Sequence, residues 1–261
     1  MSQFSYKELP SFSNVSAGST AVLQVPLGYS YNAINIEYSG VTLAQLQDIE
    51  VRINGKVLQS FSDATRLQDI NKYYKRNIKA GVITLWFETP EFKEATRRST
   101  AIGTMDVSTF DVAVNIDAAA AAPVLKASAI RSNNLPLGAI IKYKRFSASA
   151  AAAGIKEIDN LPRESRIKAI HLFKSDISKA EVELDSTIWY DPSKTLGAGI
   201  QTDYGRNPNT AKMTTVDFTL HGDPMQALVV QNAFDFRVRT HCASAGAFDI
   251  VVEYLSGYTG I

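Results

Sequence analysis

Three histidines and one cysteine are the residues of this sequence best suited to metal binding or nucleophilic chemistry. They are His171, His221, His241 and Cys242, and only the last two are adjacent. A structural zinc site needs four such ligands, usually at short spacings. The sequence offers neither a second cysteine nor a His-x-His pair. We therefore interpret the histidines as structural residues at or near predicted strands.

Carboxylates could supply a different chemistry. Glu181, Glu183 and Asp185 fall on one face of a predicted strand, and two suitably spaced carboxylates can hydrolyse a glycosidic bond. A solvated face of an amphipathic strand explains the same pattern and is favoured. Loop aspartates could ligate calcium, but they follow no calcium-loop spacing: Asp191, Asp203 and Asp223. We assign no catalytic and no cofactor-binding residue, and metal ligands stay unassigned.

Nucleotide and nucleic-acid chemistry has equally little support. The sequence contains no G-x-S-x-G elbow and no G-x-x-x-x-G-K-[ST] phosphate loop. Residues 72–79, KYYKRNIK, interleave basic and aromatic side chains, a pattern that can bind single strands. However, 27 basic residues are balanced by 26 acidic ones, so the chain lacks the positive field that attracts nucleic acid. We predict a solvated loop or a subunit contact there, and no direct nucleic-acid binding.

The composition of the 261-residue chain indicates the compartment in which it folds. A single cysteine cannot form an intramolecular disulfide, which fits a reducing compartment. The start, MSQFSYKELP, does not read as a signal peptide. No apolar run approaches the roughly 20 residues that span a bilayer. These features predict a soluble protein made in the cytoplasm.

Alternation of apolar and polar residues dominates the chain and predicts a mainly β fold. Residues 49–53 and 214–222 alternate with a period of two. Asn54-Gly55 is typical of a tight hairpin turn. Helix signals are short, as at Thr42-x-x-Gln45 and Asp223-Pro224. We expect short helices in the loops that connect the strands.

An internal repeat runs through the sequence. Four pairs of segments recur in the same order at offsets between 131 and 138. In the first pair, Pro26 followed by Ala33-Ile34 matches Pro162 followed by Ala169-Ile170. The other three pairs match 50–59 to 181–190, Pro90 to Pro224, and 110–116 (FDVAVNI) to 248–254 (FDIVVEY). Chance resemblance between alternating strands is the competing interpretation. Each copy has the size of one β-sandwich or eight-stranded jelly roll. We predict domains at 1–124 and 156–261, with a linker containing a short helix or loop at 125–155.

The sequence also resembles a known family along nearly its whole length. The matching segments are YSGVT (38–42), Asn54-Gly55 with Leu58, KAGV (79–82), Pro90-Glu91 with Lys93, Ala101 with Gly103-Thr104, IDAAAAAPVL (116–125), Glu157-Ile158, LPR (161–163), Arg166-Ile167 with Ala169-Ile170-His171, Trp189 with Asp191, Gly222-Asp223 and IVVEY (250–254). In this collinear order they resemble the major capsid proteins of corticoviruses, tailless icosahedral marine phages with an internal membrane.

The resemblance implies a double jelly roll, that is, two tandem eight-stranded barrels with short helices in connecting loops. It further implies homotrimers that tile an icosahedral virion capsid over an internal lipid membrane, after synthesis in the bacterial host cytoplasm. Penton and small membrane-associated virion proteins would be neighbours. No cofactor is required, although structural calcium is suggested without a ligand set. KYKR (142–145) is a candidate for basic side chains that face the membrane.

Two other functions remain open from the residues alone. A carbohydrate-binding protein made of two β-sandwich domains would need exposed aromatic side chains, for which Tyr73, Tyr74, Trp189 and Tyr190 are the candidates. A glycoside hydrolase would use two of the carboxylates named above. The residues by themselves favour no enzyme.

Overall fold

The computed structural model describes residues 4–163 and 165–259. The helices are α1 (Ala64–Tyr73) and α2 (Lys194–Asp203), with short 3-10 helices at Leu43–Gln45 and Pro224–Gln226. The strands are β1 (Ser5–Glu8), β2 (Thr20–Gln24), β3 (Ser30–Ser39), β4 (Leu46–Ile53), β5 (Lys56–Asp63), β6 (Val82–Trp86), β7 (Ile102–Gly103), β8 (Phe110–Ile116), β9 (Val124–Ser132), β10 (Ile140–Ala150), β11 (Gly154–Ile158), β12 (Arg166–Phe173), β13 (Ile177–Leu184), β14 (Thr187–Tyr190), β15 (Thr214–Asp217), β16 (Leu228–Val229), β17 (Phe236–Cys242) and β18 (Gly246–Ser256).

The chain divides into two compact units. The first contains the residues up to Lys72 together with Arg76–Lys144. The second contains Tyr73–Lys75 and the residues from Arg145 onward. The three residues that follow Lys72 therefore belong to the second unit, although they lie in the first half of the sequence.

Both units have the same strand order. In the first, one sheet is β1-β9-β3-β6 and the other is β2-β8-β4-β5, with the short β7 paired to β3. In the second, the sheets are β10-β18-β12-β15 and β11-β17-β13-β14, with the short β16 paired to β12. If the eight main strands of each unit are numbered along the chain, both units read 1-8-3-6 and 2-7-4-5. This is the order of a jelly roll, and the predicted double jelly roll is confirmed.

Local irregularities also repeat between the units. The third strand of each roll carries a register shift at the same place, between Tyr31 and Ala33 and between Ile167 and Ala169. The turn between the fourth and fifth strands has two residues with positive φ in both rolls, at 54–55 and 185–186. A bulge and a turn type depend on backbone geometry rather than on hydrophobic pattern. The internal repeat is therefore real in this part of the chain.

One pair of the predicted repeat is wrong. FDVAVNI is β8, the seventh strand of its roll, whereas FDIVVEY lies in β18, the eighth strand. The counterpart of β8 is β17, and the counterpart of β18 is β9. Every strand of a half-buried sheet alternates apolar and polar residues, so two strands from different positions can share a pattern by chance.

The prediction of a linker at 125–155 is wrong, because this range consists mainly of strands. That range contains most of β9, all of β10 and the beginning of β11, and the two units meet in sequence between Lys144 and Arg145, within β10. Small residues within this range fill core positions of a strand. Ala127 and Ala129 of β9 are buried.

Each roll has its own apolar core from the inward positions of its strands. The first includes Ile34, Val51 and Val112, none of which is exposed. The second includes Ile170, Val238 and Val252. In the described part of the chain, no helix has both the length and the apolar character needed to cross a membrane.

Candidate functional site

The four residues whose types suit metal or nucleophilic chemistry do not converge. His171 is fully buried and Cys242 is 4% exposed. His241 Nε2 lies 3.1 Å from Glu181 on the neighbouring strand, and the exposed His221 packs its ring against Tyr204. Within residues 4–163 and 165–259, no group of three or more His, Cys, Asp or Glu side chains is arranged to hold a metal ion.

The carboxylates of β13 are ion-paired, one within the strand and one to the neighbouring strand. Glu181 accepts from Lys179 at 2.7 Å, and that bond lowers the pKa of the glutamate. Glu183 pairs with Arg239 of β17 at 2.5 Å. The acid of a glycosidase needs a raised pKa, so the lowered value of Glu181 does not suit that role.

Asp185 has a local structural role. Its Oδ1 accepts hydrogen bonds from the backbone amides of Phe234 and Asp235, at 2.8 and 2.9 Å. In the first roll, Asn54 Oδ1 accepts in the same way from Ser108 and Thr109. The side chain therefore anchors one loop to the hairpin turn in each roll.

The three loop aspartates have different surroundings. Asp191 pairs with Lys179 at 2.5 Å. Asp223 caps the short helix at Pro224–Gln226 by accepting from the amide of Met225 at 2.8 Å. Asp203 ends α2 and is exposed.

The basic and aromatic segment at 72–79 does not form an open surface. Tyr73 and Tyr74 are 0% and 6% exposed, so their rings cannot stack on nucleic-acid bases. Arg76 is also buried and donates to Glu91 at 2.9 Å. The aromatic side chains and Arg76 are thus packed, while the three lysines of the segment are exposed.

The candidate membrane-facing segment KYKR at 142–145 is also largely internal. Lys142 and Tyr143 are buried, and Lys144 donates to the carbonyl of Val57 at 2.6 Å. Only Arg145 is exposed. The expectation that these four residues form a basic surface patch is wrong.

A buried ionic cluster, formed by Lys168, His171, Glu253 and Tyr74, lies in the second unit. Glu253 accepts from Lys168 at 2.8 Å and lies 2.7 Å from His171 Nε2, and all three side chains are fully buried. The hydroxyl of Tyr74 donates to the same carboxylate at 2.9 Å. Lys168 Nζ also lies 3.7 Å from the centre of the Tyr74 ring. The cluster therefore ties Tyr74 to β12 and β18.

A second buried ion pair lies beside this cluster. Arg206 donates to Asp217 at 2.9 Å, and the hydroxyl of Tyr73 donates to the same carboxylate at 3.2 Å. Burial, followed by the nearby Asp217 charge, raises the pKa of Tyr73 well above its ordinary value. Both tyrosines of the 73–75 segment are thus bound to carboxylates.

The charge of Glu253 is stabilised by its neighbours. Burial alone would raise the pKa of its carboxyl, but the Lys168 ammonium and the hydrogen bond from His171 outweigh burial and hold it far below the ordinary 4.5. A carboxylate with a lowered pKa stabilises the fold above its unfolded pKa and loses that contribution as the pH falls.

Acidification should therefore destabilise the second roll. We expect the free energy of unfolding to fall as the pH drops below about 4.5, because unfolded Glu253 then binds a proton that the folded form excludes. Urea unfolding between about pH 6 and pH 3 measures the slope. Other carboxylates contribute to that slope, so the Glu253→Gln variant is the control and should show a shallower one. Equal slopes for the two proteins would contradict the assignment.

The aromatic residues do not make a sugar-binding platform. Trp189 is 59% exposed on the edge strand β14. Tyr190 packs inward, and burial raises its pKa to about 12. Tyr73 and Tyr74 belong to the buried clusters described above. Of the four candidates, the structure therefore presents one to solvent.

Sequence comparisons identify relatives over both rolls. Residues 6–133 match the family described as viral coat protein P2 N-terminal domain, and residues 140–258 match the viral coat protein P2 C-terminal domain. The major capsid protein P2 of Pseudoalteromonas phage PM2 is 32% identical over 263 residues, covering 96% of each chain. These matches confirm the resemblance seen in the sequence.

Solved structures agree with the strand order. The crystal structure of the major capsid protein P2 from bacteriophage PM2 has a TM-score of 0.94 at 31% identity, covering 98% of both chains. A chain of Sulfolobus turreted icosahedral virus has a TM-score of 0.72 at 12% identity, covering 98% of this chain and 90% of that one. A chain of the PBCV-1 virus capsid has a TM-score of 0.70 at 10% identity, covering 100% and 98%. The last two likenesses concern the fold alone. By its sequence over both rolls, this chain belongs to the viral coat protein P2 family.

Proposed function

We propose that this chain is a major capsid protein that assembles into trimers, which tile an icosahedral shell over an internal lipid membrane. The observation that carries the proposal is the repeated jelly roll in a chain of the viral coat protein P2 family. Three chains with two similar rolls each give an outline of approximately sixfold symmetry, and such blocks can pack edge to edge. Closed threefold symmetry fixes the number of copies.

The charge balance suits dense packing. The chain carries a formal net charge of +1, so many copies side by side experience little long-range repulsion. Exposed strand edges also need cover, because unpaired edges promote aggregation. β1, β11 and β14 are edge strands of their sheets, and contacts within the shell would cover such edges.

The proposal includes the neighbours that such a shell requires. The chain would be made in the cytoplasm of a bacterial host and become part of the virion capsid. Penton proteins and small membrane-associated virion proteins would contact it, and the membrane would lie beneath. The function needs no cofactor and no nucleic-acid contact, while structural calcium between subunits would add stability.

The mass of the purified protein tests the proposal. Three chains of 28.5 kDa give about 86 kDa, which size-exclusion chromatography with light scattering measures directly. We expect the trimer mass to persist on dilution to micromolar concentration, because permanent shell contacts bury large areas. A stable monomer would contradict the proposed function, and specific hits on a glycan array would favour a carbohydrate-binding protein instead.

A further inference from the structure

The outward side of α2 carries an apolar stripe that is partly exposed in the single chain, with His221 packed against the Tyr204 ring. Leu196, Ile200 and Tyr204 are spaced by four residues and are 58%, 36% and 43% exposed. Residues at this spacing share one side of a helix. Gly199 lies next to Leu196 on the adjacent turn, and a Cβ added there would find no atom of the described chain within 4 Å. A helix normally buries such a stripe.

The repeat supplies a counterpart for the stripe in the first half of the sequence. At an offset of 130, Ile70 corresponds to Ile200, and Tyr74 corresponds to Tyr204. The helix ends match as well, since the amides of Arg76 and Arg206 donate to carbonyls five residues earlier, at 2.9 and 2.8 Å. The residue before each arginine has positive φ, 53° at Lys75 and 78° at Gly205.

The two counterparts differ sharply in burial. Ile70 is 0% exposed and Tyr74 is 6% exposed. Tyr74 lies in the second unit, where it reaches Glu253 and packs its ring near His171 and Lys168. Those residues lie on β12 and β18, the third and eighth strands of the roll. The outer face of a 1-8-3-6 sheet therefore receives a tyrosine from a helix end.

The equivalent outer face of the first unit is less buried at the matching positions. In the second roll, His171 Nδ1 lies 3.0 Å from Thr215 Oγ1 across β12 and β15, and both residues are buried. In the first roll, Thr84 Oγ1 donates to Asn35 Oδ1 at 2.8 Å across β6 and β3. The helices match here too, because Asn71 and Gln201 donate their side-chain amides to the carbonyls of Thr84 and Thr215. Yet Asn35 and Thr84 are only partly buried.

We propose that the apolar stripe of one copy docks on the outer face of the β1-β9-β3-β6 sheet of a second copy, around Asn35 and Thr84. Tyr204 would then occupy the position that Tyr74 holds beside His171. The exposed helix side and the partly exposed sheet face lie on different rolls of the described chain, so the contact is head-to-tail. This inference rests on the proposed trimer, in which three such contacts close a ring.

Charge complementarity favours this pairing. Residues 1–144 contain 15 basic and 12 acidic side chains, a formal charge of +3. Residues 145–261 contain 12 basic and 14 acidic side chains, a formal charge of −2. Opposite charges favour contact between the first half of one copy and the second half of another. Like charges disfavour contact between two first halves or between two second halves. Locally, Lys126 of β9 and Asp203 of α2 are both exposed.

A charge placed in the stripe tests the inference. The Ile200→Glu and Tyr204→Glu double variant should weaken association by on the order of 100-fold, because two central apolar residues of the interface become charged. Light scattering at micromolar concentration should then report the 28.5 kDa monomer. Thr202→Glu is the matched control, since this exposed residue lies on another side of α2, and it should keep the trimer. Circular dichroism checks that both variants fold.

Photo-crosslinking keeps the test independent of folding in the double variant. Benzoylphenylalanine at position 200, in a mixture of isotope-labelled and unlabelled chains, should crosslink different copies at residues 30–39, 82–86 or 124–132. A trimeric wild type with crosslinks confined to other segments, or a double variant that remains trimeric, would overturn the inference and leave the proposed function intact. A monomeric wild type would overturn both.

Discussion

Replacing Glu253 with glutamine is expected to lower the free energy of unfolding by about 3–5 kcal/mol. Glutamine keeps the size of the side chain but removes the charge that faces Lys168 at 2.8 Å, and both side chains are fully buried. The ammonium would then lose its carboxylate partner where water cannot replace it. Urea unfolding at a fixed protein concentration near neutral pH measures the change.

Glu157→Gln is the matched control for this variant. Glu157 pairs with Arg239 at 2.8 Å, but the glutamate side chain is 39% exposed, so its loss should cost less than about 1 kcal/mol. Adding Lys168→Met to Glu253→Gln should recover part of the lost stability, because it removes the remaining buried charge. Equal costs for the two glutamine variants would show that the buried pair does not stabilise the second roll.

Replacing Gly40 with alanine is the second large effect that we expect. Gly40 has a φ of +70°, and an added Cβ would lie 1.8 Å from the carbonyl oxygen of Ala122. Left-handed backbone costs an alanine about 1–2 kcal/mol, and forced overlap in a packed region adds about 1–3 kcal/mol. We expect the free energy of unfolding to fall by about 2–5 kcal/mol, measured by chemical denaturation.

Gly55→Ala separates backbone strain from overlap. Gly55 has a similar φ of +77°, but no described atom lies within 4 Å of an added Cβ. This variant should cost only the backbone term of about 1–2 kcal/mol. If the two alanine variants lost the same stability, the close approach between Gly40 and Ala122 would not be a constraint on the fold.

The Gly40 contact also gives a physical reason for two of the sequence motifs. YSGVT contains Gly40, and IDAAAAAPVL contains Ala122. The amide of Ala122 lies 3.5 Å from the carbonyl oxygen of Gly40. The first segment therefore needs a residue without a Cβ where it crosses the backbone of Ala122. The sequence marked them as distinctive, but it did not predict that they touch.

The sequence predicted which segments form strands, but it did not predict where each strand lies in its sheet. Alternation correctly placed strands at β4 and β15, and the Asn54-Gly55 hairpin was correct. The pairing of FDVAVNI with FDIVVEY was wrong, because alternation reports only that one strand face is buried. The offset of the repeat changes along the chain, from 136 at the third strands to 131 at the turns and 126 at the seventh strands. An alignment of the two halves at one constant offset therefore could not match all equivalent strands.

The two α-helices were missed for a different reason. The sequence signals indicated short helices at Thr42 and Asp223, which the structure shows as 3-10 turns. α2 contains glycines at positions 197 and 199, and glycine disfavours a helix by about 1 kcal/mol per residue. Gly197 nevertheless packs closely, because an added Cβ would lie 2.4 Å from the Tyr190 hydroxyl and that side chain would have to shift. Tertiary packing thus overrides helix propensity.

The buried ionic cluster was only partly visible in the sequence. His171 and Glu253 stand in two of the motifs, Ala169-Ile170-His171 and IVVEY, and His171 was interpreted correctly as structural. Their contact at 2.7 Å joins residues 82 positions apart. The register between β12 and β18 creates that contact, and no local pattern reports a register. Tyr74 was assigned to a loop or subunit contact because its segment looks polar when it is taken alone.

A three-dimensional reconstruction of the purified assembly by electron cryo-microscopy tests the central claim most directly. We expect three copies of the chain in one closed ring, with six jelly rolls of approximately hexagonal outline and first and second rolls alternating around it. Tyr204 of each copy should lie over Asn35 and Thr84 of the next. A monomer, or an assembly in which equal rolls face each other across a twofold axis, would contradict the proposal that the repeated roll exists to build a trimeric shell unit.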